Sequence, residues 1–236
     1  MKKVIIIGAT SGIGRALAEH YLAEGWMTGL TGRRVELLEE LKAEYPSSVI
    51  QEMDVSESDG ARKVFSKLVS EPGGVDLVII AAGTGHIDPE LPWDKELETI
   101  TTNVTGFAAI ALAAYKVFER QGYGHLAAIT SIAGIRGGSA PAYNASKAFM
   151  SNYLQSIRYF AAKSGKPIHV TNICPGFVDT AMARGECLFW VATPEKAARQ
   201  IYLALERKRK HLYVTRRWRL IAWLLKLLPE SIYHRL

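Results

Sequence analysis

The 236 residues are 48% hydrophobic and 22% charged, enough apolar chain for one α/β domain with a buried core and too much for bulk disorder. The formal charge is +6, yet residues 207–236 hold nine Lys/Arg against one acid, Glu230, a balance of +8, which leaves the preceding chain near neutral at −2 and unlike a nucleic-acid binder. Two cysteines, Cys174 and Cys187, make no disulfide framework and point to a reducing cytoplasm; with six scattered histidines they give no metal site, and no run of about 20 apolar residues offers a membrane span.

Along the chain, short apolar runs alternate with longer amphipathic stretches. The first run, Val4–Gly8, follows Met1-Lys2-Lys3 and breaks at its glycine, too soon for a signal sequence, so it reads as a buried strand. Directly after it, Gly8-Ala9-Thr10-Ser11-Gly12-Ile13-Gly14 opens a helix over 12–24. Glycines there let backbone approach a pyrophosphate, and the helix N-terminus offers free N–H groups to its oxygens. The second strand, Met27–Thr31, ends in Gly32-Arg33-Arg34. An acid at this point would bind a ribose 2′-hydroxyl and favour NAD, whereas two guanidinium groups suit the 2′-phosphate of NADP. Solvated arginines are the other reading, but positive charge is unfavourable at the start of the next helix, 34–45.

Strands at Val49–Met53 and Val75–Ala81 bracket a helix at 57–70 and are followed by a long one at 95–121. The fifth strand, His125–Thr130, is followed by Ser131, whose hydroxyl at a carboxyl edge can hydrogen-bond a substrate oxygen as charge develops. In Tyr143-Asn144-Ala145-Ser146-Lys147, the four-residue spacing puts Tyr143 and Lys147 on one face of a helix over 142–164. A free phenol titrates near pH ~10, and a neighbouring ammonium is expected to lower that, making Tyr143 a proton shuttle. A strand at His169–Ile173 runs into the Pro175-Gly176 turn, a helix at 194–208 starts behind Thr193-Pro194, and Leu212–Thr215 is a weaker last strand. Strand–helix alternation of this length predicts a doubly wound, mostly parallel α/β sheet in a single domain spanning 1–236.

These segments, in this order, resemble the short-chain dehydrogenase/reductase family over about residues 4–215. The resemblance implies a Rossmann-like fold and hydride transfer between a nicotinamide cofactor, NADP(H) more than NAD, and a carbonyl or alcohol. It implies that Asp54 and Val55 line the adenine site and that Ala82 and Gly83 admit the cofactor ribose. Pro175, Gly176, Val178 and Thr180 would lie along the nicotinamide, Ser131 would polarise the substrate oxygen, and Asn103 would hold a water linking Lys147 to solvent. Tyr143 and Lys147 would touch cofactor as well as substrate. The departures are Ile7 where threonine is common, Ile80 and Ala81 where asparagines brace the sheet, and twelve residues between Ser131 and Tyr143 where thirteen are common.

Two segments stay open. Gly185–Val191 is either a lid over an apolar substrate or core packing. Residues 216–236 form a basic amphipathic helical tail in which Arg216-Arg217-Trp218-Arg219 leads into Leu220–Leu228. Either this tail lies in a membrane interface, with Trp218, Leu220, Trp223, Leu224 and Leu227 toward lipid, or it closes the substrate pocket or a subunit contact. The long helices 95–121 and 142–164 each have a face needing cover, and relatives pair them, so a homodimer or homotetramer is expected. A catalytically silent NADP-binding sensor and a membrane-surface scaffold are the alternatives to an enzyme.

Overall fold

In the computed structural model, which describes residues 1–70, 73–181 and 189–233, seven apolar runs become strands. They are β1 (Lys3–Ile7), β2 (Met27–Gly32), β3 (Val49–Glu52), β4 (Leu77–Ile80), β5 (Gly124–Ile129), β6 (Ile168–Pro175) and β7 (His211–Val214). All pair in parallel in the order β3-β2-β1-β4-β5-β6-β7. The near-continuous apolar character of β1 and β4 has its cause in burial on both faces. Ile5, Ile7, Val78, Ile80, Leu126 and Ala128 turn to one face, under Phe65 of α3 (Ser58–Ser70), Phe107 and Phe118 of α5 (Phe107–Gln121) and Leu154 of α6 (Pro141–Lys163). Val4, Ile6, Leu77, Ile79, Ala127 and Ile129 turn to the other. There they meet Leu17 and Tyr21 of α1 (Gly12–Ala23), Leu38 and Leu41 of α2 (Val35–Glu44), and Ile201 and Leu205 of α7 (Pro194–Glu206).

The chain winds outward from β1 to β3 and returns to β4 on the other side of β1, so the carboxyl ends of β1 and β4 form the crevice where such sheets bind ligands. Ile80 and Ala81 replace the expected asparagine brace. Backbone stitches this edge instead, with Ala81 N and Ala82 N both donating to Ile7 O at 2.8 Å.

Two expectations change. The helix over 95–121 is not uniform: α4 (Trp93–Ile100) and α5 are joined by a π-helical turn, Thr101–Gly106, that carries Asn103. By length and composition Trp93–Gln121 could cross a membrane. Its residues Phe107, Ile110, Ala111, Ala114 and Phe118 fill the core, which accounts for that apolar content. The tail is also broken: Leu228 is extended before Pro229, as the residue preceding a proline prefers, separating α8 (Trp218–Leu227) from α9 (Glu230–Tyr233). Trp218, which the membrane reading of the tail would turn toward lipid, is buried at 3% exposure, while Leu220, Trp223, Leu224 and Leu227 are exposed. Gly185–Leu188, Cys187 among them, and His234 lie outside the described residues.

Candidate active site

The crevice opens into a cleft of about 890 Å³. Gly8, Thr10, Ser11, Gly12, Ile13, Gly14, Arg33, Arg34, Asp54, Val55, Ala82, Gly83, Ser131, Tyr143, Lys147, Pro175, Gly176, Val178 and Thr180 all line it. At its inner end Gly8 has φ +90°, and a Cβ there would lie 2.5 Å from Ala82 N, so only glycine lets β1 turn this close to β4. Ser11, the N-cap of α1, makes no capping hydrogen bond, and the first turn holds no acid. The helix therefore presents its N–H groups and positive end to the cleft, a cradle that fits a pyrophosphate.

Arg34 reaches over this cradle, its Nη2 donating to Thr10 Oγ1 at 2.8 Å and Ser11 Oγ at 2.7 Å. Arg33 Nη1 lies 3.9 Å from Asp54 Oδ2, and Asp54 Oδ1 accepts from the Ser56 amide and hydroxyl. Two guanidinium groups thus flank the cleft at the end of β2, each held by a neighbour.

Tyr143 comes in from the first turns of α6. The Ser131 hydroxyl is its hydrogen-bond partner and in turn accepts from Ala133 N at 3.1 Å, capping the short 3-10 turn Ile132–Ile135. Lys147, one helical turn on, is buried; Nζ donates to Ile129 O at 3.1 Å and lies over the Tyr143 ring, 5.5 Å from its centroid. Burial pulls the Lys147 ammonium down to about 8, with the Cys174 side chain opposing. Burial likewise holds the Tyr143 phenol above its ordinary value, and the Ser131 hydrogen bond alone pulls it down. The expected lowering of the phenol by Lys147 is not what this geometry gives. The ammonium faces the ring and a carbonyl, and the buried phenolate is costly.

Asn103 does not line the cleft. It is fully buried, its Oδ1 accepting from Thr84 N at 2.9 Å and its Nδ2 donating to Thr84 O at 2.7 Å and Ser146 Oγ at 3.0 Å. Both amide protons are spent on fixing the loop after β4 to α6. Asn103 Oδ1 and Lys147 Nζ nevertheless converge, each 3.2 Å from where a Gly83 Cβ would stand.

The sequence left the roles of Thr84 and Ser146 unread, and it offered the tail that holds Trp218 and Tyr233 as a cover for the pocket without saying which residues reach it. Ser146 sits beside Lys147 in the Tyr143–Lys147 segment and was legible as part of it. The contact made by Trp218 had no local signal: its indole lies where any Gly176 side chain would be, and it packs on Phe177 and Phe189 at centroid distances of 5.2 and 5.0 Å. Tyr233 also lines the cleft, its hydroxyl donating to Gly137 O at 2.6 Å, with Arg136 over its ring and also donating to Leu228 O. The tail therefore covers one side of the cleft, where Ile87, Ile132 and Phe177 are apolar.

The family model for short chain dehydrogenases matches residues 2–187. An uncharacterized oxidoreductase of Mycobacterium tuberculosis is 33% identical over 219 residues, 88% of this chain and 85% of that one. Two solved structures share the fold. An alcohol dehydrogenase from the archaeon Thermococcus sibiricus, complexed with 5-hydroxy-NADP, has TM-score 0.78 at 24% identity and covers 90% of this chain and 95% of its own. A short chain dehydrogenase/reductase from Burkholderia phymatum in complex with NAD has TM-score 0.84 at 20% identity, with 94% and 92% covered.

Proposed function

Because the chain belongs to the short-chain dehydrogenase family, oxidoreductases on a nucleotide-binding Rossmann fold, we propose that it reduces a carbonyl substrate, or oxidises the matching alcohol, with NADP(H). The observation that carries this reading is the convergence of Ser131, Tyr143 and Lys147 on one wall of a cleft whose floor is the Gly8–Gly14 cradle. The cofactor-binding residues are those that line the cleft from Gly8 to Gly14 and at Arg33, Arg34, Asp54, Val55, Ala82, Gly83, Pro175, Gly176, Val178 and Thr180. Bound there, the reduced dinucleotide supplies the hydride to the carbonyl carbon. Ser131 holds the carbonyl oxygen by hydrogen bonding as negative charge grows on it. Tyr143 gives that oxygen its phenolic proton; the Ser131 hydrogen bond, which draws the phenol down, favours this transfer, and burial opposes it. Lys147 replaces the proton; its ammonium and the remaining lone pair of Asn103 Oδ1 both face Gly83, the two groups a relay water needs. In the alcohol-oxidising direction each proton step runs backwards.

NADP is preferred over NAD because Arg33 and Arg34 stand at the end of β2, where no acid is present to take a ribose 2′-hydroxyl. The outward faces of the adjacent α5 and α6 expose Leu112, Phe149, Tyr159 and Phe160, and these pair two copies of the chain. The test is a panel of aldehydes and ketones offered with NADPH and with NADH, following loss of nicotinamide absorbance. Turnover that is faster with NADPH is expected. Tight NADPH binding without turnover on any carbonyl would replace the enzyme with a silent sensor.

A further inference from the structure

We propose that α8 is a membrane-docking helix that seats the mouth of the cleft on an anionic lipid surface. The helix has two apolar faces. Trp218 and Ala222 are buried at 3% and 2% exposure and anchor it to the protein, close to the Pro175–Phe177 turn. Leu220, Trp223, Leu224 and Leu227 follow the i, i+3, i+4, i+7 pattern of a second stripe, and are 70%, 66%, 50% and 60% exposed. A helix already anchored on one side has no folding reason for that second stripe, and a contiguous exposed apolar face marks an interaction surface.

Charge selects the occupant. Arg216, Arg217, Arg219 and Lys226 are exposed around the stripe, and residues 207–229 contain no Asp or Glu. A second copy meeting this face across a two-fold axis would bring the cations of both copies together. An anionic headgroup layer instead attracts them while its acyl region accepts the leucines and the tryptophan. Ten residues of helix reach only ~15 Å, half the ~30 Å hydrocarbon core, so α8 lies in the interface plane. Near the start of the helix Phe189, Trp190 and Val191 are also exposed, with Trp190 6.2 Å from the anchoring Trp218 and the Arg217 guanidinium 5.8 Å from the Trp190 ring.

Docking on α8 brings the cleft to the interface, since Trp218 packs on Phe177 and Tyr233 of α9 lines the cleft wall. The substrate class follows, resting on the oxidoreductase reading above: a carbonyl- or alcohol-bearing lipid that partitions into the bilayer.

The experiment is co-sedimentation of the full chain with vesicles of phosphatidylcholine alone and of phosphatidylcholine mixed with phosphatidylglycerol. The Trp223→Ser/Leu224→Ser double variant, which alters only exposed side chains, is run beside it. Binding to the anionic vesicles, weakened by high salt, is expected, with an about tenfold or greater loss of partitioning in the variant at unchanged Tm. Reduction of a long-chain ketone carried in the vesicles should fall in the variant while that of a water-soluble ketone stays constant. No sedimentation of the wild type with anionic vesicles, or equal binding by the variant, would overturn docking. A self-association that the variant abolishes, without lipid binding, would make a second copy the occupant. Sedimentation needs no turnover, so docking by a chain that reduces no carbonyl would refute the oxidoreductase reading and leave the docking surface standing.

Discussion

At the scale of single residues, the proposed reaction gives the proton work to Tyr143 and Lys147, both of them buried. Desolvation raises the phenol and the Ser131 hydrogen bond lowers it; Tyr143→Phe would remove this donor and leave the Gly8–Gly14 cradle intact. Turnover should drop ~100- to 10,000-fold with NADPH affinity little changed; near-normal turnover on a good substrate would refute the assignment. Lys147 sets a pH limit. Its ammonium, pulled down to about 8 by burial, is charged below that pH and neutral above it. In the proposed reaction, loss of charge with rising pH would remove the group that reprotonates Tyr143. Carbonyl reduction, read as kcat/KM against pH, should therefore be level on the acid side and decline through about pH 8. A profile that rises across the same window would contradict this role.

At the scale of elements, the start of α8 is fitted closely to the turn after β6. Gly176 has no Cβ, and the Trp218 indole occupies that space. Gly176→Ala must push the indole aside and with it the start of α8, overpacking that costs ~1–3 kcal/mol. A lowered urea midpoint is expected, with weaker NADPH binding because Gly176 also lines the cleft. An unchanged midpoint would show that α8 is not locked to the turn. The π-helical turn is the second such device. It aims Asn103 at Thr84 and Ser146, tying the loop after β4 to the helix that carries Tyr143 and Lys147.

At the scale of the whole molecule, two groups of exposed apolar side chains bear on assembly and docking. Leu112, Phe149, Tyr159 and Phe160 lie on the α5–α6 layer, and the α8 stripe lies beside the cleft. The first suits a partner of the same kind. The chain should sediment as a dimer or larger assembly, and Phe160→Glu should shift it toward monomer by placing like charges in the contact. A wild type that remains monomeric at all concentrations would remove that surface from consideration.

Local sequence by itself determined the strand–helix order, the parallel sheet and the glycine cradle. Buried parallel strands need unbroken apolar runs, and a loop this close to a second strand needs glycine, so both signals sit within a few neighbouring residues. The Tyr143–Lys147 pair was legible for the same reason, since four-residue spacing alone places two side chains on one helical face. Tertiary structure decided what those side chains do to each other. Lys147 lies over the ring and against Ile129 O because β5 passes beneath α6, which no spacing along the helix reveals. It also decided that Asn103 braces a loop, that Trp218 turns inward while its neighbours turn out, and that Tyr233 reaches the cleft. Each of these depends on contacts between segments tens of residues apart: Asn103 with Ser146, Trp218 with Gly176, and Arg136 with Leu228. An amphipathic pattern shows that a helix has an apolar face; only the packed chain shows which of two such faces the protein covers.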